Sequence, residues 1–198
     1  MEKPADVTHP IHALLQRRWS PRAFADRMVE PEQLQSLFEA ARWAPSSNNE
    51  QPWHFIVGIK ADPSAHDRLV ACLKEGNRKW AFRAPVLILS VARLNFEDEG
   101  TPNRHAWHDT GMAALSLCLQ ATALGLVTHQ MAGFEIEKAR TDLGIPAGYE
   151  PVAMIAVGAT SRTASGRISG VGFASAKMIG LGAMSLTMAC VRTPGPER

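Results

Sequence analysis

Apolar residues along the chain follow two periods, one typical of helices and one typical of buried strands. In the segment 31–44 they recur at intervals of three and four, which is the spacing of one helical face, and a proline stands in the first turn. The residues of this face are Leu34, Leu37, Phe38 and Ala41. The pattern predicts a helix that ends at about Trp43.

Similar patterns predict four more helices and four strands. We expect helices over residues 10–18 with Thr8 as the cap, over 63–81, over 104–124 with Gly125 as the end, and over 135–144. The 104–124 helix has apolar residues on several faces and is expected to be mostly buried. Short apolar runs predict buried strands at 54–57, 85–92, 126–134 and 151–158. Helices and strands interleave, which predicts an α/β (α+β) fold in a single domain over 1–198.

The C-terminal part of the chain does not share these patterns. After Gly158 the sequence is rich in glycine, alanine and serine and follows neither the helical nor the strand period. The pattern therefore assigns no structure to this part, and we treat residues 160–198 as an atypical C-terminal tail whose fold and role the sequence leaves open.

Composition and charge limit the classes of function. The chain has 198 residues, of which 45% are hydrophobic, and a net charge of +2. Its basic residues form no block of the kind that binds nucleic acid or an anionic membrane, so neither partner is expected. The three cysteines (Cys72, Cys118, Cys190) lie far apart, which favours a reducing compartment over a disulfide framework. With no apolar run near the start, we expect a cytoplasmic protein.

The first candidate site is the segment RRWSPRAF, which places Arg17, Arg18, Ser20 and Arg22 within six positions. Guanidinium and hydroxyl groups are the partners that a phosphate requires, because charge-assisted bonds to its oxygens are strong. The alternative is a solvated basic helix end that complements the helix dipole.

The second candidate is the connection between the 31–43 helix and the first strand. It places Ser46, Ser47, Asn48, Asn49 and Gln51 between two prolines. An array of this kind is suited to a polar heterocycle or a polyol. The alternative is a turn whose serine and asparagine side chains bond to its own backbone.

The third candidate is a histidine pair on the long helix. His105 and His108, with Asp109 adjacent, are three positions apart, whereas four is the commoner zinc spacing and no third ligand is placed by sequence. We therefore predict no metal site and expect Asp109 to be paired with a histidine or a neighbouring backbone group. The sequence also lacks a dinucleotide fingerprint, a P-loop and a nucleophile elbow.

Together these residues resemble the nitroreductase family of FMN-dependent oxidoreductases over roughly residues 10–160. The family pattern R-x-S-x-R-x-F stands here as Arg18, Ser20, Arg22 and Phe24, and P-S-S-x-N-x-Q-P-W stands at 45–53 after a helix. A match of that length is specific. The resemblance implies a nitroreductase-like fold with a central mixed sheet of four to five strands, flanked by helices, in an intertwined homodimer.

The same resemblance implies which residues bind FMN. The first motif would contact the phosphate and the pyrimidine ring, and the second would lie along the flavin, partly from the partner subunit. Asn77, seven residues before the APVLI segment, would contact the pyrimidine edge, and the turn after His129 would offer backbone N–H groups to flavin N5. The implied set is Arg18, Trp19, Ser20, Arg22, Pro45, Ser46, Ser47, Asn49, Gln51, Asn77, Met131, Ala132 and Gly133.

In two places the chain departs from the family pattern. Some relatives carry a glutamate where Ala132 stands, so that side-chain contact is missing here, whereas a backbone donor would remain. Relatives usually end with a basic cluster that completes phosphate binding, and the basic residues of this tail (Arg162, Arg167, Lys177) do not align with it.

The activity implied by the resemblance needs no catalytic side chain, because flavin N5 carries the chemistry. Hydride would pass from NAD(P)H to electron-poor small molecules, such as nitroaromatics or quinones, by a ping-pong mechanism. Two alternatives stay open: a flavin-binding protein with little turnover because of its divergent tail, and a specialised reductase for a small aldehyde or a halogenated phenol. Substrate range would depend on the loop at 95–103.

Overall fold

The structure is a computed structural model that describes residues 4–161 and the backbone of 187–189. Its centre is a sheet with the strand order β3-β4-β2-β1-β5. The strands are β1 (Trp53–Ile59), β2 (Val86–Arg93), β3 (Val127–Met131), β4 (Tyr149–Gly158) and β5 (Thr187–Ala189). β1, β2 and β4 are almost entirely apolar, as expected of strands that are buried on both faces.

All pairings between the described strands are antiparallel, so the prediction of a mixed sheet is wrong for this part of the chain. The reason lies in the connections. Ile59, the last residue of β1, pairs with Val86, the first residue of β2. The chain therefore leaves the sheet and returns to it at the same end, which requires antiparallel strands.

Helices cover both faces of the sheet, and each face has its own core. The helices are α1 (Ala13–Arg17), α2 (Pro31–Arg42), α3 (Pro63–Cys72), α4 (Glu75–Ala81), α5 (Ala106–Ala123) and α6 (Ile136–Asp142). One core packs α3, α4 and α6 against residues such as Leu87 and Leu89 of β2. The other packs α2 and α5 against Val86 and Ile88, the alternate residues of that strand. The predicted α+β class and the flanking helices are confirmed.

Two predicted helices differ from those in the structure. The first begins at Ala13 instead of near Thr8, and His12 caps it by accepting a bond from the Leu14 N–H through Nδ1. The His12 backbone is extended (φ −61°, ψ 140°), as is usual for a residue that caps a helix, so the first helical residue comes after it. The predicted helix over 63–81 is two helices, because Leu73 forms an isolated bridge with Phe134 and interrupts it.

The long helix α5 ends as predicted, with Gly125 at φ +72° just after it. Its burial is less complete than predicted. Trp107 is 47% exposed and Leu115 is 45% exposed, although the opposite side of the helix lies in the core. One apolar side of α5 is thus uncovered in the single chain.

None of the helices in residues 4–161 combines the length and the apolar character needed to cross a bilayer. Within the tail, the backbone of Thr187–Ala189 forms β5 against β1, an element that the sequence pattern did not assign. Arg162, Arg167 and Lys177 lie outside the described residues.

Candidate functional site

The first motif begins where α1 ends. Arg18 caps α1, and its Nη1 donates to Ser20 Oγ over 3.3 Å. Ser20 and Arg22 are exposed, while Arg18 and Trp19 are half-buried. The bond to Ser20 uses one of the five N–H donors of the Arg18 guanidinium. This corner can therefore present a cation and a hydroxyl group to an anion.

Aromatic rings fix the second half of this motif against α4. Arg22 Cζ lies 5.8 Å from the centroid of the Trp80 ring, within the range of a cation–π contact. The Trp80 ring also contacts His129 at 4.6 Å and Phe24 at 6.3 Å between centroids. His129 Nδ1 in turn donates to the Pro21 carbonyl oxygen over 3.0 Å. The motif is thus attached to α4 and β3.

The two remaining predicted segments meet on α4 as well. Asn77 Nδ2 donates to the Gly133 carbonyl oxygen over 3.0 Å, and the Lys74 N–H donates to the same oxygen over 3.1 Å. A Cβ atom at Gly133 would lie 2.5 Å from Asn77 Nδ2, so only glycine permits this approach. Residues 77 and 133 are therefore neighbours, as expected if they serve one ligand.

We call Arg22, Asn77, Trp80, His129 and Gly133 the α4 cluster. Asn77 and Trp80 are three positions apart on α4 and so share one side of the helix. Next to the cluster, Ala132 is exposed, whereas the Met131 side chain is buried in the core. A contact of Met131 with a ligand would have to come from its backbone.

We call residues 45–52 the proline loop. Asn48, Asn49 and Gln51 all have φ values between +50° and +54°, in the left-handed region that residues with a side chain rarely adopt. Ser46 Oγ accepts a bond from the Gln51 N–H over 3.0 Å, and Gln51 Nε2 donates to Asn49 Oδ1 over 3.2 Å. These bonds bear out the alternative in which the loop bonds to itself. They do not exclude binding, because each amide and hydroxyl has further capacity.

Two carboxylates attach the proline loop to the rest of the fold. Asp109 Oδ2, on α5, accepts a bond from the Ser47 N–H over 3.0 Å. Glu50 forms an ion pair with Arg93 at the end of β2, and its Oε1 accepts a bond from the Glu97 N–H over 2.8 Å. The loop is therefore fixed by α5 on one side and by the end of β2 on the other.

The prediction that Asp109 pairs with a histidine or with backbone is confirmed on both counts, since His108 Nδ1 lies 3.1 Å from its other oxygen. Within residues 4–161 no group of three or more histidine, cysteine or acidic side chains is arranged to hold a metal ion. Burial raises the pKa of the Cys72 thiol, with the nearby Asp142 carboxylate adding to the effect, so that Cys72 is not an activated nucleophile.

Sequence reasoning missed several residues that shape the site. Trp80 and His129 were not assigned to it, and neither was the pair of Glu50 and Arg93. A signal existed for the pair, because Glu50 is the one charged residue between the two prolines and Arg93 ends a run that is otherwise apolar. Nothing in the sequence indicated that Trp80 and His129 would meet, since their contact depends on the packing of α4 against β3.

The comparisons with known proteins agree on one family. The sequence profile of the Nitroreductase family matches residues 15–159. A Streptomyces coelicolor protein whose name contains the words NADH dehydrogenase/NAD(P)H nitroreductase is 27% identical over 154 residues, covering 68% of this chain and 77% of the relative.

Solved structures give the same result. A crystal structure described as an oxidoreductase containing FMN has a TM-score of 0.74 and 35% identity, covering 78% of this chain and 79% of its own. A nitroreductase family protein from Clostridium difficile 630 has a TM-score of 0.64 and 26% identity, covering 77% of this chain and 86% of its own.

Proposed function

The chain belongs to the nitroreductase family, and from this premise we propose that it is an oxidoreductase that binds FMN and uses NAD(P)H as electron donor. When bound, FMN would accept hydride at N5 from NAD(P)H and pass it to an electron-poor acceptor, such as a nitroaromatic or a quinone, in a ping-pong sequence. The chain's own residues bind, orient and shield the cofactor. None of them is required as an acid or a base.

One observation supports the proposal most strongly, namely that three distant segments meet on α4. Arg22 lies over Trp80, and Asn77, one turn earlier on the same helix, contacts Gly133. The resemblance assigns Arg22, Asn77 and Gly133 to one cofactor without reference to any contact between their segments. Their convergence is expected of residues that serve a single ligand.

The donor groups present match the chemistry of FMN. Arg18, Ser20 and Arg22 supply cationic and hydroxyl donors for a phosphate, whose oxygens accept charge-assisted bonds. Asn77 and the backbone at Ala132 and Gly133 supply neutral polar groups for a pyrimidine edge. A well-placed donor next to developing negative charge is worth about 2–4 kcal/mol of stabilisation.

The proline loop supplies the rest of the proposed site. Its cofactor residues are Pro45, Ser46, Ser47, Asn49 and Gln51, and we propose that they lie along the flavin. The contacts that fix this loop come from α5 and the end of β2, whereas those that fix the α4 cluster come from β3 and α4 itself. Attachment to different elements fits a site built from two copies of the chain, in which the loop of one serves the cluster of the other.

We propose that a second copy covers the exposed apolar sides of α1 and α5. The apolar residues concerned are each more than 40% exposed: Ile11 just before α1, Leu15 in α1, and Trp107 and Leu115 on α5. A helix that is apolar on all sides is stable in water only when each side is covered. Sedimentation at micromolar concentration should give a dimer. A stable monomer that retains FMN would contradict the shared site.

The experiment that tests the function uses the absorption of the flavin. The purified full chain is titrated with FMN, freed of excess cofactor, and mixed with NADPH or NADH without oxygen. We expect retained flavin absorption that is bleached by one of the two nicotinamides and restored by a quinone. Retained flavin that neither nicotinamide bleaches would favour a binding protein, and no retained flavin would refute the proposal.

A further inference from the structure

The proline loop has a backbone conformation that its asparagines tolerate but that is uncommon for Gln51. Three of its residues, Asn48, Asn49 and Gln51, have left-handed backbone angles. Such angles persist only where the surroundings impose them. The bonds inside the loop join it to itself, so they do not fix its position in the protein. That position depends on groups outside the loop.

Asp109 is placed to supply one such constraint. Its side chain is only 2% exposed, and it reaches from α5 to the Ser47 N–H across 62 positions of sequence. Ser47 is the first residue of the 3-10 turn at Ser47–Asn49, so the bond acts where the turn begins. A bond from a backbone N–H to a carboxylate is roughly twice as strong as a bond between neutral groups.

The second oxygen of Asp109 is also engaged. His108 Nδ1 lies 3.1 Å from Oδ1, and the His108 ring itself is largely exposed. The two bonds fix the orientation of the carboxylate, so that Oδ2 stays directed at the Ser47 N–H. Trp107 and Leu115 on the same helix belong to the surface that we assign to the second copy.

We propose that Asp109 is a positioning residue for the cofactor: it fixes the proline loop to α5 and thereby sets where Ser46, Ser47 and Asn49 stand relative to the flavin. It does not contact the flavin itself. In a site shared by two copies, the same bond links the loop of one chain to the helix that packs on the other. This inference rests on the proposed function.

The test compares two substitutions of Asp109 in the full chain. Asp109→Leu removes the acceptor, and Asp109→Asn keeps one oxygen but loses the charge. FMN affinity is measured by quenching of flavin fluorescence, and hydrogen exchange is measured at the Ser47 amide. We expect Asp109→Leu to bind FMN about 10- to 100-fold less tightly than the wild type. Asp109→Asn should bind FMN about three- to tenfold less tightly than the wild type. Exchange at Ser47 should accelerate in the same order.

Ser90→Ala is the matched control for a general loss of stability. Ser90 is fully buried, and its Oγ donates to the Ala153 carbonyl oxygen over 3.1 Å, between β2 and β4. The control should lower the melting temperature without changing FMN affinity or exchange at Ser47. A purely structural role for Asp109 would give the same result as Ser90→Ala.

The outcomes separate this inference from the proposed function. If the unmodified chain does not bind FMN, the proposed function fails. If it binds FMN and both Asp109 variants bind equally well with unchanged exchange at Ser47, only the positioning role is refuted. If Asp109→Leu does not fold, the test relies on Asp109→Asn. Wild-type FMN affinity and wild-type exchange at the Ser47 amide in Asp109→Asn would overturn the inference.

Discussion

The α4 cluster and the proline loop both carry predicted cofactor residues, yet different forces stabilise them. In the cluster, the rings of Phe24 and His129 pack against Trp80, and Asn77 contacts Gly133. In the loop, left-handed residues are fixed by the carboxylates of Asp109 and Glu50. Packing dominates one half of the site and electrostatics the other, so the two halves should respond to different perturbations.

The largest expected effect is in the cluster. Trp80→Ala removes a buried ring that packs against Phe24, His129 and Arg22. Truncation of a buried aromatic side chain costs about 3–5 kcal/mol in the free energy of unfolding, which urea denaturation would measure. Trp43→Ala is the control, because Trp43 is 70% exposed and its loss should cost about 0.5 kcal/mol or less. Similar losses in both variants would contradict the dominance of packing.

In the loop, Arg93→Met should produce the next largest loss. The change leaves the nearly buried Glu50 carboxylate without its cation, and removing one partner of such a pair costs about 3 kcal/mol. Glu50→Gln is the milder companion, because the amide oxygen can still accept the bond from the Glu97 N–H. Thermal unfolding would rank the two variants. An Arg93→Met chain as stable as the wild type would show that the pair does not anchor the loop.

How far the sequence predicts this molecule depends on the range of the interactions. Helix α2, the strands β1, β2 and β4 and the end of α5 follow from apolar spacing and from Pro31 and Gly125, which act locally. The break between α3 and α4 was missed because it depends on the bridge between Leu73 and Phe134. Local pattern carries no information about a partner that distant.

The same distinction applies to the site. The resemblance predicts the cofactor residues, because the family motifs match this sequence position by position. The contacts that fix those residues were mostly missed, because the bond from Ser47 to Asp109 and the ring contact between Trp80 and His129 join segments far apart in the chain. Sequence therefore predicts a set of cofactor residues and leaves open how those residues are fixed in place.

A glycine pair on and near α4 gives a smaller, sharper test. Gly133→Ala places a methyl group 2.5 Å from Asn77 Nδ2, whereas a Cβ at Gly76 would meet nothing within 4 Å. Gly133→Ala should cost about 1 kcal/mol of stability through the displaced amide and weaken FMN binding by about tenfold. Gly76→Ala should stabilise helix α4 by about 0.5–1 kcal/mol with FMN affinity unchanged. Equal affinities in the two variants would exclude Asn77 and Gly133 from the cofactor site.

The smallest effect concerns pH and falls on the α4 side of the sheet. Burial lowers the pKa of His66, against the opposing bond of its Nε2 with the Ala84 carbonyl oxygen. The folded chain therefore favours neutral His66. The stability this adds is present above the unfolded pKa of about 6.5 and is lost as pH falls through that value towards the folded pKa.

Urea unfolding at pH 7.5 and at pH 5.5 would measure this loss. His66→Gln should reduce the difference between the two pH values, and the exposed His9→Gln should leave it unchanged. If His66→Gln left the pH dependence as it is in the wild type, the buried histidine would not be its source.

The central claim is that the α4 cluster of one chain and the proline loop of a second chain bind the same FMN, and subunit complementation tests it most directly. Arg22→Ala impairs the cluster, and Asn49→Ala impairs the loop. The two variants are unfolded together and refolded as a mixture, and bound FMN per chain is measured. Each variant alone should bind FMN weakly, and hybrid dimers should regain one intact site. A mixture that binds no more FMN than the separate variants would contradict a site shared between two chains.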